Sequence, residues 1–339
     1  MKEKRILLTA IGSFSARAII KRLKELGFFV FGMDCYPKEW VVNAALVDGF
    51  IQVPLVSKEE DYEEACFSIV ENRGIDAIFP LTDIEVDYFY KNRKKYEEKG
   101  IVLLLPKGDL SLIRNKYLLG RNLSLSMEKG FSVIEGKGYE EIDFSEPEFP
   151  LVAKLKSGRS SEGLHYIHSE DQLGFFLNQV FREQKEDAYF FQKQIQGKIY
   201  TVDLFRGEYG VERALVRREE LRTGNGAGTS VRILPISLKL MADLKLYGLV
   251  NMEWIYEEEE RCFYFLECNP RHSGGIGFSE MAGGDFVGFL MEESFPKEMQ
   301  EEREKREKNV EDKMEYLAKI RYGSYGKVYE DYYLSGEEE

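Results

Sequence analysis

Leu249 to Gly275 reads LVNMEWIYEEEERCFYFLECNPRHSGG, two β-type runs on either side of a charged turn. A hairpin centred near Glu260 sets Glu253 opposite Glu267, because their numbers are symmetric about that point. Alternation then puts Asn251, Glu253 and Ile255 on one face, and Phe265, Glu267 and Asn269 on one face of the partner strand. At about 5 Å and an effective dielectric near 20, two facing carboxylates repel by about 3 kcal/mol. A divalent cation would compensate them. Two carboxylates and the amide oxygen of Asn269 form a hard-oxygen set suited to magnesium shared with substrate phosphates. Arg271, two residues further on, adds positive charge for a phosphoryl transition state. The same residues also admit an exposed hairpin with hydrated glutamates, or a pair sharing a proton. A slip of one residue in the register would separate the pair.

Upstream, Leu151 to Gly163 reads LVAKLKSGRSSEG, a strand running into a Gly/Ser loop. A strand lysine placed there can deliver an ammonium to a phosphate, while loop amides and the hydroxyls of Ser160 and Ser161 wrap its terminal oxygens. Lys154 and Lys156 fall on the same strand face, so spacing does not choose between them, and two solvated surface lysines is the plainer reading. GxxxxGK[ST] occurs nowhere, which argues against a Walker-type nucleotide fold.

The first hundred residues alternate short apolar runs with helical spacing. Strands are expected at Arg5 to Ala10, at FFVFGMD ending at Asp34, at GFIQVP, at IDAIFP and at IVLLLP, with helices over Ala16 to Leu26 and Glu59 to Asn72. That order predicts a parallel, doubly wound sheet whose ligands sit beyond the strands' carboxyl ends. The turn GSFSAR at residues 12–17 is not GxGxxG; it is either a tight turn into a helix or an anion-binding helix start. Asp83, Glu85 and Asp87 follow a strand end, where they either contact substrate or cap and solvate the next helix.

Between and beyond these stretches, Ser111 to Gly130 is helical with Lys116 in its first turns, and REELRTGNGAGTS at 218–230 reads as a flexible loop. A further helix is expected from Leu234 to Tyr247 and a charged helical run from Glu298 to Asp312. With 47 basic and 60 acidic residues the net charge is -13, which disfavours nucleic acid and anionic lipid as bulk partners. The longest purely apolar runs, such as Ile101 to Leu105, are far below the ~18 residues that span a bilayer. MKEKRILLTAIGSFSARAII imitates a signal peptide but reads better as strand, turn and helix, since Arg17, Lys21 and Arg22 follow at once. Cys35, Cys66, Cys262 and Cys268 form no close CxxC pair, and three histidines give few zinc ligands, so a reducing, cytoplasmic setting is expected. Cys268 reads as a buried small residue, and His272 as either a substrate contact or an ordinary loop histidine.

The order of helix lysine, strand lysine with a serine-glycine loop, QxxIxGxxYTVD at 192–203, strand glutamate and LECNPR at 266–271 resembles the ATP-grasp superfamily. The similarity is closest to the carbamoyl phosphate synthase large-chain type and to single-module amino-acid ligases, and it extends from residue 1 to about residue 290. The fold class it implies is α/β and α+β: a Rossmann-like parallel-sheet N-terminal domain followed by a two-lobed ATP-grasp module. The implied divisions are residues 1–106 for the opening domain, 107–190 for the small lobe or lid, 191–295 for the large lobe, and 296–339 for a charged helix and tail.

By that resemblance, Lys116 and Lys154 would hold ATP phosphates, and Ser160, Ser161 and Gly163 would belong to the closing loop. Gln192, Lys193 and Ile195 would touch adenine; Glu253, Glu267 and Asn269 would bind Mg2+, or Mn2+ in its place; Arg271 would sit near the transferred phosphate. Arg217 or Arg222 would steady an acyl phosphate. Two departures stand out: Gln192 replaces the family's usual adenine-contacting glutamate, and Ile199 replaces a ribose-binding carboxylate with a side chain that accepts no hydrogen bond.

The implied activity is an ATP-dependent carboxylate-amine ligase working through an acyl phosphate on small molecules, an amino acid carboxylate and an amine. The resemblance also permits a homodimer. Carboxyphosphate or carbamoyl phosphate chemistry is a second reading, against which stands the presence of one module where the synthase large chain has two. A non-catalytic nucleotide-binding regulator is a third, favoured by Ile199 and opposed by the full metal trio with Arg271.

Overall fold

A run of short strands buried on both faces can only be satisfied by helices above and below it, and the chain opens this way. The computed structural model describes residues 4–123, 126–159, 162–208, 212–220, 224–228, 232–307, 320–321 and 323–326. Strands β1 (Arg5–Leu8), β2 (Phe29–Asp34), β3 (Gly49–Gln52), β4 (Ala77–Phe79) and β5 (Val102–Leu103) form a five-stranded sheet in the order β3-β2-β1-β4-β5. Every pairing in it is parallel, as the alternation of strands and helices required. Strand order reverses between β1 and β4, so the crevice opens where Thr9 to Ala16 and Leu81 to Asp83 leave the sheet.

The chain continues through β6 (Phe131–Val133), β7 (Gly136–Gly138), β8 (Leu151–Leu155), β9 (His165–Ile167), β10 (Tyr189–Lys193), β11 (Lys198–Arg206), β12 (Glu212–Glu220), β13 (Gly224–Gly228), β14 (Gly248–Glu257), β15 (Cys262–Asn269) and β16 (Gly323–Tyr325). A four-stranded antiparallel sheet, β7-β10-β8-β9, makes the small lobe. Its apolar face takes Leu173, Phe176 and Val180 of the helix Glu170–Arg182. A seven-stranded sheet, β16-β13-β12-β11-β14-β15-β6, makes the large lobe, with the helix Ile233–Asp243 packed around Trp254, Met252 and Leu204.

Three expectations need adjusting. Residues 218–230, read as a loop, include β13, which pairs with β12 and β16. A glycine-rich strand is held by its backbone ladder alone and offers no side-chain alternation to read. The helical run from Ser111 breaks into Leu110–Arg114 and Lys116–Leu123, because Asn115 adopts an extended ψ of 92°. Sheet membership also crosses the expected division at 190, since β10 of the small lobe runs to Lys193 while β6 lies in the large lobe's sheet.

The N-terminal domain and the large lobe share a core. The helix Ala16–Glu25 buries Ile19, Ile20 and Leu23 in one cluster with Phe205, Leu249, Ile276, Phe286 and Val287. That shared apolar body sets the crevice of the parallel sheet beside the face of β14 and β15 that carries the glutamates. Among the described residues no helix is long and apolar enough to cross a membrane.

Candidate active site

The hairpin of β14 and β15 is the centre of the site. Glu253 stands opposite Glu267 and Asn251 opposite Asn269, as the symmetric numbering indicated. Nearer the turn the partners shift by one, Trp254 with Phe265 and Glu257 with Cys262, so a bulge lies between the two registers. The bulge corrects the simple alternation. Leu266 and Glu267 both line the cleft, while Phe265 goes into the core with Trp254. Without the extra residue, Phe265 and Glu267 would share a face.

The cleft beside this hairpin has a volume of about 720 Å³. Its apolar lining includes Ile134, Val152, Ile195 and Leu266, with Ile199 and Ile255 paired in register on neighbouring strands. Lys116, Lys154, Glu253, Glu267 and Asn269 line the same cleft, as do Arg271 and the Ser273 to Gly275 turn that follows it.

Lys116 Nζ lies 2.6 Å from a Glu267 carboxylate oxygen. Burial pushes the Glu267 carboxyl up, yet Lys116, the Asn269 amide and Lys154 outweigh it and hold the group below the usual range. The Lys154 ammonium is pushed down to about 8 by burial and by the charge of Lys116, against the pull of Glu267. Lys156 is elsewhere. Strand β8 ends at Leu155, so alternation stops there, and the Lys156 ammonium lies 5.4 Å from the centroid of the Tyr117 ring.

Asn269 Nδ2 donates to Glu267 Oε1 at 2.9 Å and to Asn251 Oδ1 at 3.3 Å. Turning that amide over would present its oxygen beside the Glu267 carboxylate. With Lys116 already acting as a stand-in cation on Glu267, the donor set fits magnesium. Among the described residues no three His, Cys, Asp or Glu side chains converge as a metal group, so the set rests on two carboxylates and an amide.

The other expected residues are distributed unevenly. Lys193 and Ile195 line the cleft, but Gln192 spends its side-chain amide on the carbonyl of Ile134 at 2.7 Å and does not. Its neighbour Gln194, which the sequence did not flag, lines the cleft with a buried Oε1 that has no hydrogen-bond partner among the described residues. Gly163 has a left-handed φ of 64°, and a Cβ there would come within 2.6 Å of Leu155, so the loop closes back only with glycine. Ser160, Ser161 and Arg222 lie outside the described residues. Position 217 on β12 is in register with Thr201, which is itself opposite Glu253.

Arg271 is oriented from the N-terminal domain, through residues whose role the sequence left open. Its Nε and Nη2 donate to Asp83 Oδ2 at 2.8 and 2.6 Å, and its Nη1 donates to the carbonyl of His272 at 2.8 Å. Asp83 also accepts from Arg114 Nη1 at 2.6 Å, and Arg114 Nε donates to Asp87 Oδ1 at 2.7 Å. Arg159 of the Gly/Ser loop pairs with the same Asp87. Burial opposes the charge on Asp83, but the hydrogen bonds and charges of Arg271 and Arg114 hold it below the usual carboxylate range. Glu85 turns inward instead, accepting from Thr9, Thr82 and Tyr62.

The turn after Arg271 is pinned from below. Asp203, the last residue of the QxxIxGxxYTVD run, is fully buried and accepts from Ser273 N at 3.1 Å and Ser279 Oγ at 2.5 Å. His272 donates Nδ1–H to the Ser273 carbonyl, and burial pushes its imidazole down to about 4, leaving a neutral ring outside the cleft lining. Cys268 is buried against the core, its thiol pushed up to about 12 by burial.

Removing the Asp83 carboxylate leaves two half-buried guanidinium groups facing each other. Asp83→Ala is therefore expected to destabilise the fold by about 2–4 kcal/mol in urea unfolding, whereas an unchanged midpoint would mean the pairs are solvated.

The chain is similar to several known proteins. A family model described as ATP-grasp in the biosynthetic pathway with Ter operon matches residues 185–317. The carbamoyl phosphate synthase large chain of Clostridium beijerinckii is 25% identical over 289 residues, covering 78% of this chain and 25% of the relative. The chain thus spans about a quarter of the length of that relative. The biotin carboxylase domain of 2-oxoglutarate carboxylase from Hydrogenobacter thermophilus, solved with MgADP, ADP and bicarbonate, superposes with a TM-score of 0.71 at 18% identity. It covers 87% of this chain and 70% of that one. An L-amino acid ligase from Bacillus licheniformis superposes with a TM-score of 0.66 at 13% identity, covering 86% of this chain and 74% of the ligase. The fold is the ATP-grasp fold, preceded by its Rossmann-like domain.

Proposed function

We propose that this ATP-grasp chain is an ATP-dependent carboxylate-amine ligase, forming an amide through an acyl phosphate and releasing ADP and phosphate. The observation that carries the reading is the convergence of Lys116, Lys154, Glu253, Glu267, Asn269 and Arg271 on one cleft that is also lined by apolar side chains such as Ile199, Ile255 and Leu266. That apolar lining, with Lys193 and Gln194 beside it, suits an adenine. Lys116 and Lys154 would hold the phosphates, and Arg271 would steady the group in transfer. Magnesium held by Glu253, Glu267 and Asn269 would neutralise charge on the phosphate oxygens. A substrate carboxylate oxygen attacks the terminal phosphorus and ADP departs. The amine then attacks the carbonyl carbon, inorganic phosphate leaves, and the nitrogen loses its proton. The lid loop, tied to the N-terminal domain through Arg159 and Asp87, would keep water from the acyl phosphate.

A second reading places bicarbonate as the carboxylate, and the likeness to the synthase large chain supports it. We assign the protein to the cytoplasm on its four free cysteines, Cys35, Cys66, Cys262 and Cys268.

The test is ADP release with MgATP against a panel of carboxylates and amines, bicarbonate with ammonia included. Release that needs both an organic carboxylate and an amine supports ligation. Release with bicarbonate alone moves the assignment to carboxyphosphate chemistry, and tight nucleotide binding without any release would sink both.

A further inference from the structure

Two neighbouring rows of the large-lobe sheet face the cleft with opposite character. The first crosses three strands as Thr201 on β11, Glu253 on β14 and Glu267 on β15, which stand opposite one another in register. All three line the cleft, and the row is polar throughout. Two residues nearer the turn between β14 and β15, Ile199 stands opposite Ile255, and both line the cleft. The bulge on β15 adds Leu266 to the lining on the same side of Glu267. Two residues along a strand cover about 7 Å, so a row of hydroxyl and carboxylates gives way to an aliphatic one within a single step.

The connection between the lobes fixes which part of a nucleotide meets the aliphatic row. Lys193, Gln194 and Ile195 line the cleft and lead through Gly197 into β11, which starts at Lys198. A Cβ on Gly197 would come within 2.2 Å of the Tyr256 carbonyl oxygen, so the connection is held tightly against β14. Following the chain, the cleft is lined first by this connection, then by Ile199, then by Thr201 beside the carboxylate pair. A nucleotide with its base at Lys193 and Gln194 and its phosphates at Lys116, Lys154 and the carboxylates has its sugar over Ile199 and Ile255, because the sugar joins the two.

Isoleucine accepts no hydrogen bond. Among the described residues that line the cleft, the one carboxylate outside the pair is Glu162. It belongs to the small lobe's Gly/Ser loop, where its charge acts on Lys185 and Tyr189. Gln194 Oε1 is a buried atom that a ligand does not reach, and the Lys193 ammonium only donates. The 2′ and 3′ hydroxyls of a ribose are therefore left to water, and replacing either by hydrogen removes nothing that the protein holds.

We infer that this cleft does not read the sugar of its nucleotide: 2′-deoxy- and 3′-deoxyadenosine nucleotides are taken as readily as adenosine nucleotides, and Ile199 with Ile255 sets that tolerance. The inference rests on the nucleotide reading of the cleft and adds the class of nucleotide it takes.

The test is calorimetric titration with the magnesium complexes of ADP, 2′-deoxyADP and 3′-deoxyADP. The three dissociation constants are expected to agree within about threefold, whereas a charge-assisted hydrogen bond to either hydroxyl would separate them by about tenfold or more. Ile199→Glu, at a half-buried position, supplies an acceptor and should favour ADP over the deoxy forms by about tenfold. Ile199→Gln, which puts no further charge near Glu253, should move the ratio the same way by about threefold. Lys154→Met should weaken all three nucleotides alike and leave their ratios unchanged. Wild-type preference for ADP of about tenfold or more overturns the inference, and loss of that preference in Glu162→Gln would name the loop carboxylate as the sugar's acceptor. Ratios unmoved in both Ile199 variants also overturn it, since the sugar then lies elsewhere. Either result leaves the ATP reading intact; failure of all three nucleotides to bind removes both.

Discussion

Glu267→Gln should lower turnover by about 10²- to 10³-fold while leaving the protein folded. Glutamine has nearly the same shape, so the hairpin and its bulge are kept; what goes is charge at the point where charge is concentrated. Glu267 is the partner of Lys116 at 2.6 Å and the group that sustains the Lys154 ammonium against burial. Its neutralisation removes a negative charge opposite Glu253 and lets the two lysines face each other with less compensation. Nucleotide affinity should fall along with turnover, because a more readily deprotonated Lys154 is a weaker phosphate ligand. The check is steady-state ADP release with a magnesium titration, and urea unfolding of the same variant. If turnover stays within about threefold of wild type, Glu267 is a structural partner of Lys116 and the charge placement belongs elsewhere.

Much of this site was legible because the groups sit on strands, where period-two spacing and mirrored numbering fix neighbours. Glu253 and Glu267 were paired from their positions about Glu260, and their facing is observed. The bulge was not legible. A single extra residue at Leu266 leaves no composition signal, although it moves Phe265 from the cleft face to the core. Lys154 and Lys156 could not be separated by alternation, since the strand's end at Leu155 is set by the small lobe's pairing and not by local sequence.

Least readable were the contacts that depend on two distant segments meeting. Asp83 and Arg271 are 188 residues apart, and only the shared core under the helix Ala16–Glu25 brings the parallel sheet's crevice to the end of β15. Asp83 and Asp87 were seen as polar residues after a strand, but their partners lie on a helix, on the Gly/Ser loop and after the hairpin. Asp203 was inside a quoted motif and drew no role, because its task is to hold the Ser273 turn from beneath. The five strands of the parallel sheet were readable, since each is a local pattern, whereas their spatial order β3-β2-β1-β4-β5 was not.

The Lys154 ammonium, pushed down to about 8 by burial and by Lys116, predicts a pH dependence that belongs to nucleotide binding. Its unfolded value is 10.5, so between about 8 and 10.5 the unfolded chain binds more protons than the folded one. Stability of the nucleotide-free protein therefore rises with pH across that window, and the penalty for burying the charged ammonium is complete below it. Lys116 and Glu267 face the same ammonium from the helix Lys116–Leu123 and from β15, and Glu253 lines the cleft from β14. Phosphates placed among them add negative charge and draw the lysine's proton affinity back up, so binding above pH 8 must take up a proton. Affinity for MgADP should then be flat up to about pH 8 and fall by up to about tenfold per pH unit beyond it. Calorimetry in two buffers of different ionisation heat should find close to one proton absorbed near pH 9. Lys154→Met should abolish that uptake, bind MgADP at least about tenfold more weakly at pH 7, and gain about 1–3 kcal/mol of stability without nucleotide, since a desolvated charge becomes an apolar side chain. The stability difference between variant and wild type should shrink as pH approaches 10, where the wild-type lysine is already neutral in the fold. Proton uptake persisting in Lys154→Met would transfer the titration to Lys116 and overturn the assignment of Lys154 as the phosphate lysine.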